Sequence, residues 1–400
     1  MRSSSRPRLP FEVWALVAGA FSVALGYGVV APAIPQFALE FGVSSFAASA
    51  IVSAFALMRL VAAPLAGLGI ARFGERRTYT TGILVVALST GAAALAGDYL
   101  QLLVLRGLGG LGSALFSISA TALLVKLSPP EARGRVASLN SAGFLLGGLL
   151  GPVFGGIVAS FGLRAPFVFY FATLIVAATV VFLALRRSPH VGAPKSDEAT
   201  GEPEPSMRLG QALRVPQYRS LLVSVFAFGW ASFGVRVSVI PIFVAVMFQG
   251  DATQAAWVLA AYAAGNALLI FPSGRWNDTV GRKPLLVTGM AILVVSYAVF
   301  PASPGVWTAL AVMFVAGAGS ALANPGQQAV LADVLAQRRG GNVVAAYSMT
   351  SDLGGVLGPL IAGALVDAAG FGWAFAVTAA ILAAGLIAWL LVPDSRRLKG

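Results

Sequence analysis

Apolar and polar positions alternate along this chain in long blocks. Twelve mostly apolar segments follow one another, and each is long enough for the roughly 20 residues that a membrane-spanning helix requires. Short polar stretches separate them, so each segment is predicted to be a separate spanning helix. Their predicted limits are 11–37, 46–70, 78–97, 99–125, 136–160, 165–185, 219–247, 254–274, 284–302, 305–330, 343–366 and 372–392.

The longest polar stretch lies in the middle of the chain, at residues 186–218. It contains several prolines and an acidic run, and it has too few apolar residues to form a core. We therefore predict a flexible cytoplasmic linker at 186–218 between two six-helix halves, residues 1–185 and 219–400. The basic N-terminus lacks a small-residue cleavage pattern after its apolar run, so that run is interpreted as the first span.

The composition supports a membrane protein and excludes several other classes. Hydrophobic residues make up 58% of the chain and charged residues 10%, against about 25% charge in soluble domains. Cysteine is absent and His190 is the single histidine, so no enzyme, no metal site and no cofactor is expected. The run Gly107–Gly112 matches a dinucleotide-binding pattern, but it lies inside a predicted span and lacks the required strand.

The positive charge is placed asymmetrically. The net charge is +12, and 23 of the 27 Lys and Arg residues fall on the side that carries both termini. The loops of the opposite side hold only Arg164. Because Lys and Arg concentrate on the cytoplasmic side of membrane proteins, both termini are predicted to be cytoplasmic. The same placement explains the basic net charge without a nucleic-acid partner.

Sequence patterns recur in the same order in the two halves. Gly110-Leu-Gly-Ser-Ala-Leu in the fourth segment returns as Gly317-Ala-Gly-Ser-Ala-Leu in the tenth. Gly147-Gly-Leu-Leu-Gly-Pro in the fifth segment returns as Gly354-Gly-Val-Leu-Gly-Pro in the eleventh. A glycine-rich basic motif follows both the second and the eighth segments. Paired halves of this kind are a recurring architecture of secondary transporters, with the site at the interface between them.

On these residues the chain resembles the major facilitator superfamily over nearly its whole length. The basic motif is similar to the family's gate-loop signature. Its first copy comprises Gly67, Gly74, Arg76 and Arg77, and its second comprises Gly274, Asp278, Gly281, Arg282 and Lys283. The first copy departs from the signature, since Ala71 stands at the acidic position and Glu75 at a basic one. The resemblance implies an all-α membrane protein with twelve transmembrane helices.

Within that superfamily the chain looks most like the drug:proton antiporters. Residues 25–35 resemble their helix-one motif, and Arg106 with its neighbouring glycines resembles their helix-four motif. A further set resembles their helix-five motif, in which small residues at helical spacing allow close helix packing; it comprises Gly147, Gly151, Pro152, Gly155 and Gly156. Glycines that merely pack helices in lipid remain the alternative reading.

Four ionisable side chains fall inside predicted spans, where such groups are costly and usually functional: Arg59, Arg106, Arg236 and Asp352. By the resemblance, Asp352, Arg59 and Arg106 would serve proton coupling and gating. Helix-packing roles for Asp352 and Arg59 remain open. The predicted substrate cavity comprises Tyr27, Arg106, Arg236, Asn266 and Asn324.

The sequence thus predicts a monomeric multi-pass protein of the cell membrane that exports small amphipathic compounds by alternating access, with the proton gradient as the energy source. The alternative is a transporter of an organic anion or small metabolite, because three buried arginines against one aspartate make the interior basic. A channel or a receptor is disfavoured, since it would require neither the repeated Gly-Pro pattern nor paired gate loops. The expected partners are a small-molecule substrate and the lipid bilayer.

Overall fold

The computed structural model describes residues 9–128, 132–186, 207–335 and 340–394, although the side chains of residues 133, 134 and 278 are not described. These residues are almost entirely helical and contain no strand. The Cα positions group into two compact units. The first unit comprises Met1–Ala33 and Ala54–Glu198, and the second comprises Ile34–Ser53 and Ala199–Gly400.

All twelve predicted segments are helical. The helices of the N-terminal part are α1 (Phe11–Val30), α2 (Ala33–Leu39), α3 (Ser45–Phe73), α4 (Glu75–Ala93), α5 (Tyr99–Leu127), α6 (Arg133–Ala159) and α7 (Ala165–Arg186). Those of the C-terminal part are α8 (Leu209–Ala212), α9 (Pro216–Phe228), α10 (Arg236–Met247), α11 (Ala252–Thr279), α12 (Arg282–Val299), α13 (Val306–Leu335), α14 (Gly341–Ala369) and α15 (Phe371–Leu390).

Among the described residues, eleven helices or helix pairs are long and apolar enough to cross a membrane. The predicted span 78–97 corresponds to α4, which is not one of the eleven. The reason lies in its first two turns, where Glu75, Arg76 and Arg77 are followed by threonines before the apolar residues begin. The count of twelve spans therefore stays a prediction.

Two predicted segments are interrupted where local chemistry disfavours a regular helix. The first breaks at Ala31–Pro32 between α1 and α2, because a proline ring clashes with the preceding turn and offers no N–H donor. The seventh continues through a π-helical stretch, Gly229–Val235, that joins α9 to α10. Such wide turns in a helix often mark functional positions.

Most of the predicted linker, residues 187–206, lies outside the described residues. Its C-terminal end is folded: α8 and the start of α9 bury Met207, Ala212 and Tyr218 in the second unit. Tyr218 also donates a hydrogen bond from its hydroxyl to the carbonyl of Val343, at 2.8 Å. The segment from Met207 to Tyr218 therefore packs into the second unit, on the N-terminal side of the predicted boundary at 218. The division into halves at 185 and 219 stays a prediction.

The second unit includes a short N-terminal segment, Ile34–Ser53. The carboxylate of Asp367, near the end of α14, accepts hydrogen bonds from the backbone N–H groups of Ser45 and Phe46, at 2.9 and 2.8 Å. It thus caps the first turn of α3, whose N–H groups have no partner within the helix. Gln36 also donates to the carbonyl of Pro241 at 3.1 Å, and Ser53 to that of Val356 at 2.7 Å.

Glycines of the repeated motifs permit close helix contacts, and equivalent contacts in the two units are the same number of positions apart. Gly110 and Gly317 differ by 207 positions, and so do the residues that they touch, Phe55 and Tyr262. A Cβ atom on either glycine would collide with the carbonyl oxygen of its partner. The internal repeat predicted from the sequence therefore has a counterpart in the packing of each unit.

Candidate functional site

Arg106 lies in the interior of the first unit, on α5, with only 2% of its surface exposed. Its guanidinium carbon stands 4.6 Å from the centre of the Phe55 ring on α3. Within the described residues, its Nε and Nη1 atoms have no hydrogen-bond partner. A ring face stabilises a cation but leaves the N–H edge of the guanidinium unused. Arg106 can therefore accept a polar or anionic group in its plane.

Two tyrosines complete the surroundings of Arg106. Tyr27 on α1 places its ring 6.1 Å from that of Phe55, and Tyr170 on α7 is fully buried. Both phenol groups interact electrostatically with the guanidinium of Arg106. The structure thus brings together two of the five predicted cavity residues, Tyr27 and Arg106, with two aromatic residues that the sequence analysis did not single out, Phe55 and Tyr170. Among the described residues, the contacts of this cluster join one cation to aromatic and phenolic groups.

Arg236 lies in the second unit, where the π-helical stretch passes into α10. Its Nε donates a hydrogen bond to the carbonyl of Ser232 at 2.9 Å, and its guanidinium carbon lies 4.3 Å from the centre of the Tyr262 ring. The hydroxyl groups of Ser232 and Tyr262 are 3.1 Å apart. Arg236 is half-buried, so it is a polar group at the edge of this unit's core.

The two arginines rest on equivalent rings. Phe55 and Tyr262 are separated by the same 207 positions that relate the repeated glycines, and each ring carries a guanidinium group. The cations themselves come from different helices, α5 in the first unit and α10 in the second. An alignment of the repeats would have revealed the paired rings, whereas the arginines occupy positions that the repeat does not relate.

The two predicted cavity asparagines lie along neighbouring helices of the second unit. Asn266 follows Tyr262 by one turn of α11 and donates from Nδ2 to the hydroxyl of Ser320, at 3.3 Å. Asn324 lies one turn beyond Ser320 on α13 and accepts from the amide of Gln328 at 3.4 Å. The structure therefore joins Arg236, Asn266 and Asn324 into a polar strip within this unit.

The predicted partners Arg59 and Asp352 belong to different units. Arg59 is an exposed side chain of α3 in the first unit. Asp352 is half-buried on α14 in the second unit. Their predicted pairing, and the cavity shared by Arg106 and Arg236, stay predictions.

The gate-loop motifs are shorter loops than the sequence pattern suggested. Gly67 and Gly274 are inside α3 and α11, because the residues that follow them continue each helix for about two turns. The reversal falls on Gly74 and Gly281 alone, whose positive φ angles of 80° and 126° favour glycine. Asp278 lies in α11, but its side chain is outside the described part of the chain.

The residue after each of these glycines forms a salt bridge to the end of a neighbouring helix. Glu75 and Lys126, at the end of α5, are 3.3 Å apart, with side chains 15% and 23% exposed. Arg282 and Asp333, on α13, are 3.2 Å apart, with side chains 13% and 3% exposed. Arg282 lies 207 positions after Glu75, and Asp333 lies 207 positions after Lys126, so the two salt bridges occupy equivalent positions of the repeat. The acidic and basic residues have exchanged places between them. Glu75 departs from the family signature, and Lys126 compensates for it.

The next basic residue of each gate loop makes a different kind of contact in the two units. Lys283 donates from Nζ to the carbonyls of Leu390 and Val392, at 3.0 and 2.6 Å, so it binds the end of α15. Its counterpart in the first unit is Arg76, whose guanidinium carbon stands 5.0 Å from the centre of the Phe182 ring. Arg77 is exposed beside it.

The helix-five motif packs α6 against α1. A Cβ atom on Gly147 would collide with the carbonyl of Phe21, and one on Gly151 would lie 2.6 Å from the Cα atom of Gly28. Gly155, one turn after Gly151 on α6, lies close to the backbone of Val29 on α1. Pro152 and Gly156 are buried beside these contacts. The close approach that the spacing predicts is therefore present. Its role in antiport stays a prediction.

Comparison with known proteins identifies the class to which this arrangement belongs. The sequence model of the Major Facilitator Superfamily matches residues 16–248 and 221–400, which together are nearly the whole chain. Multidrug resistance protein 1 of Bacillus subtilis is 27% identical over 385 residues, covering 94% of this chain and 95% of the relative. Quinolone resistance protein NorA of Staphylococcus aureus is 23% identical, covering 89% of this chain and 90% of NorA.

Two solved structures share the fold. A crystal structure of a bacterial homolog of the human lysosomal transporter Spinster aligns with a TM-score of 0.79 at 18% identity, covering 97% of both chains. That of a D-xylose-proton symporter aligns with a TM-score of 0.70 at 20% identity, covering 96% of this chain and 98% of the symporter.

Proposed function

The chain belongs to the Major Facilitator Superfamily, and from that premise we propose that it is a proton-coupled exporter of small amphipathic compounds. The observation that carries this proposal is the buried cluster around Arg106, which combines aromatic surfaces with unused N–H donors. Such a surface suits a compound that has an apolar body and one polar or anionic group. The names of the relatives, multidrug and quinolone resistance proteins, support export as the direction.

The proposed topology has twelve spans, with both termini in the cytoplasm. The protein would lie in the plasma membrane as a monomer. In this topology α4 is a span in addition to the eleven apolar helices, which brings the number to twelve. The asymmetry of Lys and Arg supports the orientation. The two six-helix halves would alternate in access around a substrate that contacts Arg106 and Arg236. Neither a metal ion nor a cofactor is part of the proposed cycle, which the proton gradient drives.

Asp352 is the proposed proton carrier. Arg59 is proposed to pair with it at the gate, and Arg106 is proposed to take part in proton coupling. Asp352 is a half-buried acid in an apolar span, and such acids mark proton or substrate pathways. An opposite charge would hold it ionised until a proton arrives from outside. Protonation would then weaken the contact with Arg59 and favour opening toward the cytoplasm.

The first prediction tests this coupling. We expect purified protein in liposomes to accumulate an amphipathic fluorescent compound against its gradient when a pH gradient is imposed. Asp352→Asn removes the titrating group, so it should abolish the uphill component while leaving downhill exchange. The matched control is Asp98→Asn, since Asp98 only caps the start of α5. Uphill transport by Asp352→Asn at the rate of the control would show that Asp352 does not carry the proton.

Transport of an organic anion is the second candidate function, and the charge of Arg106 favours it. Arg106 and Arg236, whose guanidinium groups each stack on an aromatic ring, repel positive substrates in a region where little water screens the charges. They attract a carboxylate, which can accept two parallel hydrogen bonds from one guanidinium group. The two candidate functions therefore differ in the head group of the substrate.

The second prediction concerns this preference. In the same liposomes, neutral and anionic amphipathic compounds should be transported at least about tenfold faster than a quaternary ammonium of similar size, as expected for one unfavourable charge contact. Arg106→Gln should lower anion transport by a similar factor, and Arg219→Gln, an exposed cation outside the cluster, should not. Rapid quaternary ammonium transport by the unmodified protein would contradict the proposed basic cavity.

A further inference from the structure

An open cavity of about 1120 Å³ lies in the first unit, away from the cluster around Arg106. It is formed where α3 ends and α4 begins, and α5 and α7 contribute Leu115 and Phe182 to its wall. Its lining includes Gly74, Glu75, Arg76 and Arg77 of the first gate loop, and of these only Glu75 takes part in the gate-loop salt bridge. Three arginines line it, namely Arg72, Arg76 and Arg77.

Within the part of the chain that the structure describes, no salt bridge neutralises the arginines of this cavity. Its one acidic lining residue is Glu75, which is held 3.3 Å from Lys126. Within the described residues, none of the three arginines takes part in a salt bridge. The family signature would place an acid at position 71, but this chain has Ala71. The cavity therefore presents an excess of positive charge.

Aromatic rings orient two of these arginines. The guanidinium carbon of Arg76 lies 5.0 Å from the centre of the Phe182 ring, and that of Arg72 lies 5.5 Å from the Phe73 ring. A ring contact occupies one face of a guanidinium and leaves its N–H edge available. Planar guanidinium groups bind phosphate oxygens in pairs through that edge. The arrangement suits a phosphate group.

The equivalent position in the second unit is arranged differently. Lys283, the counterpart of Arg76, uses its ammonium group to bind two carbonyls at the end of α15. The position equivalent to Arg77 is Pro284. The unused basic cavity is thus a property of the first unit and does not follow from the repeat.

The apolar part of the wall identifies the kind of phosphate compound. Leu65, Leu68 and Phe73 line the same cavity and are 49%, 67% and 54% exposed. They lie on α3, one of the helices apolar enough to cross a membrane. A free phosphate ion gains nothing from such side chains, whereas the acyl chain of a lipid covers them.

We propose that this cavity binds an anionic phospholipid, with Arg72, Arg76 and Arg77 holding the phosphate and Leu65 and Leu68 contacting an acyl chain. The inference rests on the topology under the proposed function, which places this end of α3 at the cytoplasmic leaflet. Basic pockets between helices at that leaflet attract anionic head groups. The occupant would tie α3 to α4 beside the Glu75–Lys126 salt bridge.

The experiment uses the full-length protein in detergent and measures lipid binding by native mass spectrometry. The probes are phosphatidylglycerol, phosphatidylcholine and soluble glycerol phosphate. We expect phosphatidylglycerol to bind in preference to phosphatidylcholine. Replacement of all three arginines by glutamine should weaken its binding by about a hundredfold, since each basic residue contributes about fivefold. The charge-matched control replaces Arg214, Arg219 and Arg275, exposed cations outside the cavity, and should bind as the unmodified protein does.

Three outcomes would overturn the proposal. Equal binding by the triple variant and the unmodified protein would remove the arginines from the site. Equal losses in the triple variant and the control would reveal attraction by surface charge alone. Displacement of the lipid by an equal concentration of glycerol phosphate would show a phosphate site instead of a lipid site. If the triple variant does not fold, Arg76→Gln alone should still show about a fivefold loss. These readouts do not require transport, so failure here is distinguishable from failure of the proposed function.

Discussion

Replacement of Asp333 by asparagine is expected to lower the free energy of unfolding by about 3–5 kcal/mol. Asp333 is 3% exposed, and its carboxylate lies 3.2 Å from Nε of Arg282. The substitution removes the negative charge and leaves the arginine in a site with 13% exposure. Arg282 keeps its other contacts, among them a hydrogen bond to the carbonyl of Asn277, but it loses the carboxylate that lies against its Nε. The measurement is unfolding in mixed micelles, followed by tryptophan fluorescence.

The first unit supplies both a control and a rescue for this experiment. Lys126→Gln breaks the equivalent salt bridge, whose members are more exposed, so its cost should be about 1 kcal/mol. The double variant Arg282→Glu with Asp333→Lys copies the charge order of the first unit and should recover most of the loss. A double variant as unstable as the sum of its single variants would contradict the exchanged salt bridge.

The second large effect is expected at the repeated glycines. Gly317→Ala and Gly110→Ala each place a methyl group against a backbone carbonyl, that of Tyr262 or of Phe55. Backbone cannot rotate away, so the helices must separate, at a cost of about 1–3 kcal/mol for each variant. The two losses should be similar because the contacts are equivalent. Unfolding in the same micelles provides the values.

Gly148→Ala is the matched control, since no atom of the described residues lies within 4 Å of the added methyl group. It should be neutral or more stable, because alanine favours a helix more than glycine does. If Gly110→Ala and Gly148→Ala behave alike, close packing of α3 against α5 does not contribute to stability. Gly110 and Gly317 are thus required for close packing, whereas Gly74 is required for its positive φ angle.

The helices were predictable because the signal for each is about 20 residues long and involves no distant partner. Their ends were less so: α3 continues to Phe73, since the charged residues of its last turn are compatible with a helix and only Gly74 reverses the chain. The salt-bridge exchange was visible in principle. Comparing the repeats at a fixed separation sets Glu75 beside Arg282 and Lys126 beside Asp333.

The candidate site was only partly predictable. Arg106 and Arg236 were recognisable as costly charges in apolar segments. Their rings were not, because Phe55 and Tyr262 are aromatic residues among many in a chain with 10% aromatic content. The cap on α3 was also missed. Asp367 is 322 positions from Ser45, and no local pattern relates two residues so far apart.

That cap has a consequence for biosynthesis. The N–H groups at the start of α3 leave the ribosome long before the carboxylate that accepts their hydrogen bonds, since the two are 322 positions apart. At roughly 5–20 residues per second, that distance corresponds to a delay of about 15–60 s. During this interval the start of α3 must rely on water, lipid head groups or the insertion machinery for its hydrogen bonds. The cap on α3 therefore forms only after α14, the penultimate helix of the second unit, has been synthesised.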